Sequence, residues 1–133
     1  MRGTALAPGE AEGLALVLRA PLSLWGGMDP ATGELIDERH PQRGAQMAGR
    51  VLVMPAVRGS SSASSVLAEA ARAGCAPAAI LLGEVDLILA VGAAVADELY
   101  GIRIPVVQLD GEDLARITDG AAVRVAGAQV AIL

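Results

Sequence analysis

Lysine is absent from this chain, and so is phenylalanine. All ten cationic side chains are arginines, set against fifteen carboxylates, for a formal net charge of −5. Trp25 and Tyr100 are the only aromatic residues. Such a chain has neither the positive field that neutralises phosphates nor the platforms on which bases stack, so no nucleic-acid partner is expected. One cysteine, Cys75, excludes an internal disulfide, and excludes a zinc or iron–sulfur site whose cysteines all come from this chain. The longest apolar run, LILAVGAAVA (Leu87 to Ala96), is too short to span a bilayer and is flanked by carboxylates. No apolar run follows Arg2, so no signal peptide is expected. These absences point to a soluble, cytoplasmic protein with no membrane partner.

What is present suits a compact core. The 133 residues fit a single domain, 1–133, and 53% of them are hydrophobic. Only 19% are charged, below the usual quarter, and a chain so short of surface charge often covers part of itself with a partner. RGTALA and GLALVLRA read as strands joined by the polar PGEAEG, a hairpin. Residues 21–47, PLSLWGGMDPATGELIDERHPQRGAQM, hold four glycines and three prolines without a sustained period, and read as a long ordered loop. GRVLVMPAV is a buried strand. SSVLAEAARAGC is a helix ended by Gly74, with Pro77 beyond. APAAILLG is a strand, DLILAVGAAVADELYG a helix whose first half could be extended, and IRIPVVQL a strand with Pro105 at an edge or end. DGEDLARI is a short helix, and AAVRVAG with QVAIL forms a last hairpin. The order predicts an α/β fold: a mixed sheet with a central βαβαβ part and terminal hairpins.

RGSSSAS (Arg58 to Ser64) lies between a strand and a helix. Serine before a helix caps orphan N–H groups. The same geometry makes an anion site, because the helix start offers free N–H groups and a positive dipole end. Gly59 allows close approach, the hydroxyls of Ser60, Ser61 and Ser62 add donors, and Arg58 adds a carboxylate fork. The GK[ST] ending of a nucleotide loop is missing. A serine hydrolase needs a histidine base, and the only candidate, His40 in ERHPQ, reads as a turn or surface residue. Cys75 reads as a small buried apolar residue.

The ordered set WGG, D-P-x-T-G, H-P, R-G-S-S-S and A-x-E-L-x-G-I-x-x-P, from about Leu22 to Val107, resembles the small subunit of aconitase X. That resemblance implies a swivelling β/β/α domain closing over a large subunit that carries an iron–sulfur cluster, with no cofactor bound by this chain. It implies a hydro-lyase acting on a small hydroxy acid: cis-3-hydroxy-L-proline, giving Δ1-pyrroline-2-carboxylate, or alternatively mevalonate 5-phosphate. Ser60 matches the family's serine base and Ser61 its substrate-binding serine. Ser62 and Ala63 stand where aconitases have an Arg-Glu pair, so anchoring shifts to Ser62, Arg58 or the large subunit. Which of the three serines is the base stays open by one residue.

Other readings compete. Gly26-Gly27 and DPATG make tight turns, with Gly27, Asp29 and Thr32 candidates for a lid edge facing the large subunit. Trp25 reads as core or subunit contact, and Glu84 and Asp86 as solvated residues before a helix. The second half of the chain also resembles the swivelling phosphohistidine domain, but Gly92 stands where the phosphorylated histidine would be. A non-catalytic assembly module is the third class.

Overall fold

Two four-residue runs without a polar member, Val51–Met54 and Ala79–Leu82, are buried throughout. Unbroken apolar runs of this length form where a parallel strand is covered on both faces. The computed structural model describes residues 1–133 and places the two runs side by side in parallel. The strands are β1 (Thr4–Ala7), β2 (Glu10–Val17), β3 (Val51–Met54), β4 (Ala79–Leu82), β5 (Val106–Gln108), β6 (Ala122–Ala126) and β7 (Gln129–Ile132). The helices are a short irregular turn α1 (Leu24–Gly27), then α2 (Ala63–Arg72), α3 (Leu87–Tyr100) and α4 (Gly111–Ala115).

All strands join one sheet in the order β1-β5-β4-β3-β2-β6-β7. Its centre, β2 to β5, is parallel, and both flanks are antiparallel. The sheet curls until its ends meet: Gly3 N donates to Ala128 O at 2.8 Å, and Val130 N donates to Met1 O at 2.8 Å. Pleating then sorts the side chains into two cores. Val51, Val53, Ala79, Leu81 and Val107 point inside the curl. Leu52, Met54, Ile80, Leu82 and Val106 face α2 and α3. The mixed α/β sheet with a parallel centre expected from the sequence is therefore present.

The expected N-terminal hairpin is not. β1 pairs with β5, and β2 pairs with β6 over Glu10–Leu14 before passing to β3 over Ala15–Val17. The polar stretch read as a connector contains the first half of β2. Its carboxylates face outward, with Glu12 paired to Arg124 at 2.5 Å. Where β2 changes partners, Arg50 donates to Leu14 O and Ala15 O at 2.9 and 2.8 Å. The C-terminal hairpin β6–β7 forms as expected. α3 is helical from Leu87 onward, and Pro105 sits just before β5.

α2 stops where the sequence indicates. Gly74 takes φ +78°, and Cys75 N bonds back to Ala70 O at 2.9 Å, closing the helix with a left-handed residue. Cys75 then anchors the long loop, its Sγ donating to Pro30 O at 2.9 Å. Met28, Leu35 and Met47 from that loop are buried in the outer core. Burial, and then the charge of Asp29, push the Cys75 thiol above its ordinary range. A raised folded-state pKa stabilises the fold below the unfolded thiol's pKa, ~8.5, and that contribution fades as pH rises through the folded value. Thermal unfolding between pH 7.5 and 10 is expected to show a steeper alkaline loss of Tm in the native protein than in Cys75→Ala, and the native thiol should resist alkylation at pH 8. Equal slopes and fast alkylation would contradict this placement.

Candidate active site

Strands β2, β3 and β4 run parallel and end on the same side of the sheet, so the segments that follow them are neighbours. Ligands of parallel α/β sheets, whether open or closed on themselves, gather beyond such carboxyl ends. The segment after β3 carries the serines and lies in the middle. On one side Leu22 forms a parallel bridge with Val57. On the other, the Glu84 carboxylate accepts the Val57 N–H at 3.0 Å. Glu84, read from sequence as a solvated residue, is thus a tie between two loops. Asp86 instead caps α3, accepting from Ile88 N and Leu89 N at 2.8 and 3.2 Å.

The serines do not cap α2. The N-cap, Ser62, has φ −75° and ψ −10°, already helical, and its side chain makes no capping bond. An N-cap side chain reaches back to the first turn only from extended backbone. Ser64 Oγ donates to Ser61 O at 3.0 Å, and Ala63 N donates to Ser60 O at 3.0 Å, which closes the turn. The hydroxyls of Ser60, Ser61 and Ser62 make no bond within the chain, and the amides of Ser61, Ser62, Ser64 and Ser65 have no acceptor in it. Ser60 and Ser62 are half-buried, while Arg58, Gly59 and Ser61 are exposed. Arg58 makes no ion pair. A Cβ on Gly59 would meet nothing within 4 Å, so the turn's open side is free of protein. A cleft of about 320 Å³, lined by Val57, Gly59, Glu84, Asp86 and Leu87, adjoins it. All five residues singled out in the sequence therefore share one turn, with donors outnumbering local acceptors.

The position of this turn rests on α3. A Cβ at Gly92 would lie 2.9 Å from Ser64 O and 3.0 Å from Ser64 Cα, both backbone atoms. α3 therefore crosses the first turn of α2 at a distance only glycine permits.

His40 is buried, which corrects the surface reading. Its Nδ1 accepts from Gln42 N at 3.1 Å, so its Nε2 carries the proton donated to Ala20 O at 2.9 Å. The imidazole is a structural pin with no nitrogen left to serve a nucleophile. DPATG is turn chemistry: Asp29 Oδ1 accepts from Ala31 N, and Thr32 Oγ1 accepts from Glu34 N. Trp25 is exposed and does not belong to the core.

Sequence reasoning missed Arg19 and Arg43. They line a cavity of about 640 Å³ at the end of β2, together with Gln42 and Asp119, and neither makes an ion pair. Their separation in sequence hid the pairing. The chain's own residues do not fit an iron–sulfur cluster: no group of three or more His, Cys, Asp or Glu side chains is placed to hold a metal, and Cys75 and His40 are committed to backbone carbonyls.

Residues 1–133 match the family described as the aconitase X swivel domain. The chain belongs to that family. A cis-3-hydroxy-L-proline dehydratase of Pseudomonas aeruginosa is 46% identical over 122 residues, 86% of this chain and 21% of that protein. The phosphomevalonate dehydratase small subunit of Thermococcus kodakarensis is 39% identical over 125 residues, 94% of this chain and 88% of that one. The crystal structure of Thermococcus kodakaraensis aconitase X, holo-form, superposes with a TM-score of 0.87 at 39% identity, covering 99% of this chain and 96% of that chain. This swivel domain spans about a fifth of the length of the cis-3-hydroxy-L-proline dehydratases it matches, and most of the small subunit.

For this swivel domain, Gly92→Ala is expected to cost about 1–3 kcal/mol in urea unfolding, because backbone must move to admit the methyl group. The accompanying amide NMR shifts should concentrate in Ser60–Leu67. Unchanged stability with undisturbed serine amides would refute the close crossing.

Proposed function

We propose that this chain is the serine-bearing small subunit of an aconitase-X-type dehydratase, completed in the cytoplasm by a larger chain that carries the iron–sulfur cluster. Its substrate is cis-3-hydroxy-L-proline, which loses water to give Δ1-pyrroline-2-carboxylate. One observation carries the reading: three serine hydroxyls without partners stand at an uncapped helix start, beside a cleft that Gly59 of the same turn lines. The choice of substrate leans on the greater identity to the Pseudomonas aeruginosa dehydratase, 46% against 39% for the small subunit from Thermococcus kodakarensis.

The chemistry asks for a base at the carbon next to the carboxylate. Ser60, as its alkoxide, takes that proton while the electron pair forms a C2–C3 double bond and hydroxide leaves C3. The resulting enamine then tautomerises to the imine Δ1-pyrroline-2-carboxylate, a proton moving from the ring nitrogen to C3. A serine hydroxyl is a weak base unless its anion is stabilised. The free amides and dipole of α2, worth more once water is excluded, supply that stabilisation. Ser61, Ser62, Gly59 and Arg58 hold the substrate carboxylate. Departure of the hydroxyl is assigned to the larger chain. The 1–133 domain acts as a lid: substrate enters while it is open, and the base meets it on closure.

A second reading, dehydration of mevalonate 5-phosphate, gains from Arg19 and Arg43. A phosphate needs more cations than Arg58 alone, and these two stand unpaired at the same end of the sheet. Co-expression with a large aconitase-X-type chain, followed by assay of both substrates, separates the two. Ser60→Ala in the active pair should lower kcat by ~10²–10⁴-fold and leave KM within a few-fold. Near-native turnover would move the base to Ser61 or Ser62, and a pair that dehydrates neither compound would end the enzymatic reading.

A further inference from the structure

The serine turn is flanked by large apolar side chains that the fold leaves uncovered. On the β2 side stands Trp25, 62% exposed, three residues beyond the Leu22–Val57 bridge. On the β4 side stand Val85, Leu87 and Val91, exposed by 59, 66 and 54%. Leu87 and Val91 are one helical turn apart and share a face of α3, and the Gly92 crossing holds that stretch of helix against the start of α2. Leu87 also lines the cleft beside Gly59, so apolar rim and serine turn form one continuous surface. A rim of this kind around a polar centre marks a protein contact.

We infer that this rim is the seat of the larger catalytic chain: Trp25 and the Val85–Leu87–Val91 stripe dock on it and seal the serine turn from water. The inference rests on the dehydratase reading above and adds the place of contact. Two observations select this occupant. The relative from Pseudomonas aeruginosa carries the matching region as only 21% of one polypeptide, whereas the small subunit from Thermococcus kodakarensis is matched over 88% of its length. Where no covalent link joins the parts, side-chain contact has to hold them together. Moreover, the free amides of the turn stabilise a serine alkoxide more strongly once water is excluded, and a chain that completes the site does this by covering the rim bordering it. Large apolar and aromatic residues at the centre of an interface carry most of its binding energy.

The test uses the co-expressed pair. Leu87→Glu with Val91→Glu should weaken association of the two chains at least ~tenfold by titration calorimetry. Leu14→Lys and Leu99→Lys, in exposed apolar positions elsewhere, should leave it within twofold, or about 0.4 kcal/mol. The circular dichroism of the isolated variant reports its fold, and Leu87→Ser replaces the double variant if that fold is lost. Fluorotryptophan at Trp25 should shift its fluorine NMR signal when the larger chain is added. An active native pair whose assembly ignores the Leu87 and Val91 changes, or a Trp25 signal that does not move, overturns the docking surface and leaves the dehydratase reading standing. A native pair that neither assembles nor turns over substrate removes both.

Discussion

The close crossing of α2 and α3 at Gly92 is the contact on which the candidate site depends. Helix axes normally stay 8–10 Å apart because side chains keep them so. Here one side chain is missing at the point of contact, and the neighbouring surface is the backbone of Ser64. α3 can therefore lie over the first turn of α2. Its own start is sealed by Asp86, whereas that of α2 is left unsealed. Two helix starts of opposite character end up side by side: one satisfied by its own carboxylate, one with spare donors facing outward. The Glu84 bond to Val57 N fixes the loop between them.

An uncapped helix start has an energetic cost, since capping is typically worth ~1 kcal/mol. Leaving four serine amides without internal acceptors is tolerable because the turn is open to solvent, where water serves them. The arrangement trades a little local stability for donors that a negatively charged ligand can use. Functional sites are where such local departures are expected in an otherwise consistent fold.

Much of this was legible in the sequence, for identifiable reasons. VLVM and AILL announce doubly covered strands, and Gly74 announces the end of α2. The serine turn stands out because four serines in five positions are rare before a helix. Three things were not legible. The pairing of β1 with β5 depends on the curl of the whole sheet, and adjacent strands with a polar connector gave the wrong expectation of a hairpin. The capping role assigned to the serines failed because Ser62 has helical dihedrals, which no local pattern indicates. His40 looked like a surface residue because the sequence around it is polar. Its burial comes from bonds to Ala20 and Gln42, the first of them twenty residues away along the chain.

The end of β2 has a consequence for solubility. β2 outruns its antiparallel neighbour β6, whose ladder stops opposite Leu14, leaving the last residues of β2 with one unpaired edge. That edge is occupied by side chains. Asp119 Oδ1 accepts from Val17 N at 2.9 Å, and Gln42 donates to Val17 O and accepts from Arg19 N, both at 2.8 Å. An amide and a carboxylate thus stand in for the missing strand. With its ladder positions already taken and two arginines beside it, this short overhang offers no template for a foreign strand.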